Sequence, residues 1–209
     1  TVGSITKVEY KGNDRPRIFD LPISRGVINR MGFPGEGSGS AVRRLRGDRQ
    51  RERPYLLIVN FAASRPSFDA GTQIKDYRAA AVDLVPFGDE GEGNVSSPNT
   101  PGVRGLQDPD VFADLTDAVI PVYLYHGKPI RFKFGPDLEK EKLHKNAQTI
   151  IDKKGAGITI TNTSTDAEIR KYLSDHDLHK EEQGGISGAP ITLKALEASH
   201  HLYEYVGEE

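Results

Sequence analysis

The sequence predicts an α/β protein, a (β/α)8 barrel of TIM type that is incomplete in this chain. Three observations predict it. Short apolar runs of strand length recur, each with an amide- or ammonium-bearing residue at or near its end: Asn60, Asn94, Lys133 and Asn162. Those four residues stand 34, 39 and 29 positions apart. Each interval holds helical material, so the chain reads as βαβ units and a parallel sheet. An open doubly wound sheet concentrates its chemistry at one crevice, whereas a barrel spreads polar residues over several strand ends. The second pattern matches. A whole barrel takes about 250 residues, so one partial barrel domain spanning residues 1–209 is expected.

The elements follow in order. "TVGSITKVEY" opens as a strand already under way. "RPRIFDLPISRGVINRMGF" reads as an extended, hairpin-like excursion carrying Asn29. "GEGSGS" (35–40) lacks the strand–helix context of a phosphate loop and reads as flexible. "RRLRGDRQRER" (43–53) reads as a solvated helix end and loop, with a phosphate or lipid-headgroup patch as the other reading. The strands are then "YLLIVN" (55–60), a weak one ending "GNVSS" (93–97), "PIRFKF" (129–134) and "AGITITNT" (156–163). Between them, "DPDVFADLTDAV" offers Asp108 as N-cap and Pro109 in the first turn. "PDLEKEKLHKNAQTIIDKKG" places Leu138, Leu143, Ala147, Ile150 and Ile151 on one helical face, and Gly155 can stop it. "STDAEIRKYLSDHDLHKEEQGG" reads as solvated surface. His176 and His179 lie within it without the third ligand a metal needs, so no metal site is expected. His144, His200 and His201 fall on helices and read as surface residues.

Composition narrows the function. A formal charge of −2, from 28 basic and 30 acidic residues, gives no global pull toward nucleic acid or anionic membrane. Cysteine is absent, which excludes disulfides, thiolate metal sites and a cysteine nucleophile. No apolar run approaches the roughly 20 residues of a spanning helix. Asparagine supplies two donors and an acceptor without charge. Several at one barrel mouth can read a flat heterocycle, while any single one can equally satisfy a loop backbone as an Asx-turn does.

"NVSSPNTPGVRGLQD" resembles the signature of the class 2, quinone-linked, FMN-dependent dihydroorotate dehydrogenases. "VGSIT", "RPRIFDLP", "INRMGF", "KFGPDL", "TNTS" and "GGISGAP" are similar to further family segments in the same order. The resemblance implies a (β/α)8 barrel that oxidises dihydroorotate to orotate in pyrimidine synthesis. FMN takes hydride from C6, a base removes the C5 proton, and quinone reoxidises the flavin. It implies Ser97 as the base, which needs a relay because serine is a poor base, and Lys133 as the cation near the flavin. By the same resemblance Asn29, Arg30, Met31, Gly32, Phe33, Asn94, Asn99, Asn162 and Thr163 hold substrate. Gly3, Ser4, Asn60, Asn94, Lys133, Thr161, Ser187 and Gly188 contact FMN. The family implies peripheral association with the mitochondrial inner membrane or a bacterial cytoplasmic membrane, through a segment absent here.

The sequence departs from the family pattern in places. The opening barrel strand, the N-terminal helices and the last two strands with their phosphate loop are expected to be missing. "VNFAASRP" and "GFPGEG" replace Asn- and Lys-rich turns of the family. "DEGEGNVSS" offers Asp89, Glu90 and Glu92 between glycines, poor strand material whose charges are costly in a barrel wall unless paired or solvated. Such a chain leaves sheet edges open. Two other readings follow: a flavin-free relative serving as a structural subunit of a larger assembly, and a pyrimidine-binding module without redox chemistry.

Overall fold

Five strands of the computed structural model lie side by side in parallel, and it describes residues 1–49, 54–64, 69–100 and 102–207. They are β1 (Val2–Thr6), β4 (Ile58–Ala62), β5 (Glu90–Asn94), β6 (Ile130–Phe134) and β7 (Gly157–Ile160), in the order β1-β4-β5-β6-β7. β1 and β7 are its two edges. β2 (Ile18–Leu21), β3 (Gly26–Asn29) and β8 (Gly185–Gly188) form a separate antiparallel sheet, β2-β3-β8. The excursion expected around Asn29 is thus a true hairpin. Its third strand comes from "GGISGAP", which sequence reading marks by family likeness alone.

Helices α1 (Gly37–Arg49), α2 (Ala70–Leu84), α3 (Pro109–Tyr125) and α4 (Lys140–Asp152) follow the strands in turn, and α5 (Ala167–Lys171) and α6 (Thr192–Val206) come after them among the described residues. Side chains alternate across a strand. One face of the parallel sheet therefore packs Val59, Phe61, Ile130, Phe132 and Phe134 against Tyr77 of α2, Phe112, Leu115 and Tyr123 of α3 and Leu143 of α4. Phe112 stands edge-on to Phe132 and Phe134 at 5.1 and 5.2 Å, a favoured aromatic geometry. The opposite face is polar. Asn60, Glu92 and Arg131 lie in register across β4, β5 and β6, and Asn94, Lys133 and Thr159 across β5, β6 and β7.

The glycine-rich β5 is a well-paired, fully buried strand, which corrects its reading as poor strand material. A Cβ on Gly91 would lie 2.3 Å from the Tyr123 ring, and one on Gly93 2.8 Å from that of Phe132. Those glycines leave room for helix-side aromatics. The charges are paired: Arg131 donates to both Glu90 oxygens at 2.5 and 2.6 Å, and Asp89 accepts from the Leu57 N–H at 2.7 Å.

Other expectations shift. "GEGSGS" is not a flexible loop, because α1 begins at Gly37. Ser38 and Ser40 are buried in its first turn, and the Ser38 hydroxyl donates to Asp83. β4 begins at Ile58, leaving Tyr55 and Leu56 exposed. Asp108 is the N-cap of α3, but its side chain makes no capping bond. On α4, Leu143, Ala147 and Ile150 are buried, while Ile151 turns outward. Gly155 closes that helix, donating to the Ile150 carbonyl at 2.8 Å. The "DHDLH" stretch is not wholly solvated. Asp177 is buried and accepts from the Ile23 and Ser24 N–H groups, each at 3.0 Å, pinning the β2–β3 turn. His144 stacks on Tyr205 at 4.2 Å instead of standing free in solvent. Of the basic run 43–53, residues 50–53 lie outside the described residues.

Candidate functional site

The C-terminal ends of the parallel strands face one rim, as βαβ topology requires. Asn94 closes β5 and acts as the hub. Its Nδ2 donates to Ser4 Oγ at 3.0 Å, reaching β1. Its Oδ1 accepts from Asn162 Nδ2 at 3.1 Å, reaching the segment after β7, and from the Ser96 N–H at 3.3 Å. Ser96 Oγ donates to the Lys133 carbonyl at 2.7 Å and accepts from Asn162 Nδ2 at 3.0 Å. Asn162 Oδ1 in turn accepts from the Thr163 N–H at 2.8 Å. One hydrogen-bond network thereby joins Ser4 of β1, Asn94 of β5, the Lys133 carbonyl of β6, and Asn162 and Thr163 just beyond β7. Asn60 is placed on the same face, two register steps from Asn94.

The loop after β5 carries Ser97, which is buried. Its Oγ lies 3.3 Å from Thr100 Oγ1 and accepts from the Asn99 N–H at 3.3 Å. The loop is tied to the hairpin: Asn99 Nδ2 donates to Asn29 Oδ1 at 3.3 Å, and Asn13 Nδ2 bridges the Asn99 and Arg30 carbonyls at 2.9 and 3.0 Å. Pro98 stiffens the loop by fixing its own φ. Pro101 lies outside the described residues. Beyond Asn29, Arg30 pairs with Glu182 at 3.0 Å and lies over the Phe19 ring. Gly32 and Phe33 adopt φ of 70° and 55°, turning the chain from the hairpin toward β1.

Gly3 makes a close approach. A Cβ there would meet the Asn60 carbonyl at 2.2 Å, so β1 can press against β4 only with glycine. Gly3, Ser4, Met31 and Phe33 line a cavity of about 400 Å³ with Ile5, Ala41 and Arg44. Thr161 Oγ1 donates to the Phe134 carbonyl at 3.4 Å. Ser187 and Gly188 sit farther along β8. There the Ser187 hydroxyl is turned to the Val27 carbonyl at 3.2 Å, and no hydrogen bond among the described residues links either residue to the strand-end network.

A second cluster braces the rim. Asp137 accepts from Ser164 Oγ at 2.5 Å, the Thr165 N–H at 2.9 Å and Arg104 at 3.0 Å, with Lys194 3.2 Å away. Burial alone would raise its carboxyl, but these donors together hold it below the ordinary carboxylate value. Arg104 follows the Ser97 loop and Ser164 follows Thr163, so Asp137 clamps both.

Polar atoms without protein partners show what the rim can take. Asn60 Oδ1 and Thr163 Oγ1 are buried with no hydrogen-bond partner among the described residues. Lys133 Nζ makes no hydrogen bond or ion pair to any of them. Buried polar groups are normally satisfied. Asn60 and Lys133 share one face of the sheet, and an open acceptor and an open ammonium there fit a planar heterocycle with ring N–H and C=O groups, as in a flavin.

A family model described as "Dihydroorotate dehydrogenase" matches residues 1–209, the whole chain. The chain belongs to the dihydroorotate dehydrogenase family. It is 38% identical to a dihydroorotate dehydrogenase (quinone) of Erythrobacter litoralis, covering 94% of this chain and 54% of that protein. It is 40% identical to the one of Leifsonia xyli over 94% of this chain and 56% of that protein. The chain thus spans about half the length of the curated relatives it matches. Among solved structures it is similar to a ligand-free DHODH from Eimeria tenella, with a TM-score of 0.89 and 27% identity over 99% of this chain and 62% of that one. The dihydroorotate dehydrogenase likeness extends across the whole described fold, and the parallel sheet with its helices is part of an α/β barrel.

Sequence reasoning missed Asn13, Ser96, Thr100 and Thr159. Asn13 and Thr100 sit in turns where such residues are common. Ser96 stands in "VSSPNT" beside Ser97, where sequence alone does not say which serine faces the loop and which the strand ends.

Proposed function

We propose that this chain forms the substrate- and flavin-facing part of a quinone-linked dihydroorotate dehydrogenase, within one barrel domain. The observation that carries this reading is the convergence of Asn94, Asn162, Lys133 and Ser4 on one strand-end rim beside the Ser97 loop. FMN, when bound, accepts hydride from the substrate ring and passes electrons to quinone. Asn60, Lys133, Thr161, Gly3 and Ser4 would hold it at the rim, with Ser187 and Gly188 from β8. Lys133 would supply positive charge where the ring gains negative charge. Asn29, Asn94, Asn99, Asn162 and Thr163 would orient dihydroorotate, with Arg30, Met31, Gly32 and Phe33 shaping the adjoining wall.

Ser97 is the base in this reading. Its hydroxyl is held between the Asn99 N–H and Thr100 Oγ1. Thr100 offers the first step of the relay that a serine base needs. The cavity beside Gly3, with apolar Ile5, Met31, Phe33 and Ala41 and with Arg44, suits a quinone ring approaching the flavin. We infer peripheral residence at the membrane that carries the quinone. Among the described residues no helix is long and apolar enough to cross a membrane.

The test is Ser97→Ala in flavin-loaded, full-length protein. Loss of a positioned base should slow flavin reduction by dihydroorotate about 10²- to 10⁴-fold, with FMN affinity retained. An unchanged stopped-flow rate removes Ser97 from this role.

A further inference from the structure

Glu92 stands where it is least expected, a carboxylate 4% exposed on the polar face of the sheet. Its Oε1 accepts from Asn60 Nδ2 at 2.5 Å, and its Oε2 accepts from Thr159 Oγ1 at 2.6 Å. An asparagine amide has two orientations of nearly the same shape, one presenting its oxygen and one its NH2. Glu92 decides between them, because a carboxylate only accepts and the NH2 must turn toward it. Asn60 Oδ1 is therefore turned away. It is buried and without a hydrogen-bond partner among the described residues. Leaving such an acceptor unmet is costly, so a bound molecule that brings a donor is favoured and one that brings another acceptor is refused.

We propose that Glu92 is a positioning residue that locks Asn60 as an acceptor for the ring N–H of a planar heterocycle. The inference rests on the functional reading above. A ring imide N–H is shared by the flavin and by the dihydropyrimidine substrate. Asn60 lies mid-strand in β4 on the sheet face it shares with Lys133, the cation assigned to the flavin in that reading, and its carbonyl abuts Gly3 of β1, which favours the flavin.

The experiment uses the full-length protein stripped of flavin. FMN affinity is read by fluorescence quenching, and orotate affinity by calorimetry on the flavin-loaded form. E92Q removes the constraint, because the new side-chain amide can donate to Asn60 Oδ1. FMN affinity should fall about tenfold or more, the worth of roughly one buried hydrogen bond. E92Q/N60D should regain it to within about threefold, since the glutamine then donates to the aspartate while an aspartate oxygen stays free. E92Q/N60A should be no weaker than N60A. If orotate affinity follows this pattern and FMN affinity does not, the orientation role stands and the donor is the substrate ring.

Unchanged affinities in E92Q for both molecules overturn the proposal, as does a loss that N60D fails to restore. Should E92Q not fold, E92Q/N60D is compared with N60A. Wild-type-like FMN affinity in the first and a loss in the second support the proposal, and equal losses overturn it. A wild-type protein that takes up neither FMN nor orotate overturns the functional reading and this inference together, a result distinct from binding that Glu92 does not affect.

Discussion

Replacing Gly91 by alanine separates two opposed expectations for β5. By propensity alone, alanine in a strand should be stabilising by roughly 0.5–1 kcal/mol, because glycine loses more backbone freedom on folding. The packing says otherwise. The added Cβ would lie 2.3 Å from Tyr123 Cζ and 2.5 Å from its hydroxyl oxygen, so the ring must retreat by about 1 Å to reach ordinary contact. It has little room. Tyr123 is 1% exposed and stacks on Phe61, which is fully buried, at 6.0 Å. Overpacking of this kind costs about 1–3 kcal/mol, and the confined ring points to the upper half of that range. For a chain of this size that is a fall in melting temperature of about 5–10 °C. Urea denaturation of wild type, G91A, Y123L and G91A/Y123L at matched slopes reads the effect directly. G91A should be destabilised by about 2–3 kcal/mol, and most of that cost should vanish in the Y123L background. A G91A protein as stable as wild type, or a cost unchanged by Y123L, refutes the packing account of this strand.

Further outcomes follow from the charged clusters. Arg131→Ala should destabilise by about 2 kcal/mol, below the usual 3–5 for breaking a buried pair because Arg131 is 36% exposed. The double variant with Glu90→Ala should recover part of the loss in urea melts. Asp137→Asn should cost about 1–3 kcal/mol by weakening the clamp on Ser164, Thr165 and Arg104. The Asp137 carboxyl is held below its ordinary value of 3.8 in the folded state. Its stabilisation is therefore present above that value and is lost as pH falls through the lower, folded one. The D137N variant should show a shallower loss of stability on the acid side, measured as urea midpoints from pH 5 downward.

Much of this was legible in the sequence because the strand ends carry their chemistry in plain view. Asn60 and Lys133 close or nearly close an apolar run, Asn94 stands at the matching spacing between them, and βαβ spacing is enough to bring such residues to one rim. Asn29 was legible as part of an extended, hairpin-like excursion, and its place in the site came from the family resemblance. What stayed hidden depends on partners distant in sequence. Glu90 and Glu92 look hostile to a strand until Arg131, Asn60 and Thr159 are seen across the register. Gly91 and Gly93 look like breaks until Tyr123 and Phe132 occupy the space. Asp177 looks solvated until the turn at Ile23 and Ser24, more than 150 residues earlier, folds onto it. The first turn of α1 was misread because Gly37 and Gly39 mask the helix that Ser38, held by Asp83, secures. Local pattern marks elements and strand ends, while tertiary pairing decides which polar residues are tolerated inside.

Visible absorption of the purified full-length protein, before and after anaerobic addition of dihydroorotate, tests the central claim most directly. The account predicts flavin bands that bleach with substrate and return with quinone. A colourless protein that binds no added FMN, or a bound flavin indifferent to dihydroorotate, would contradict it.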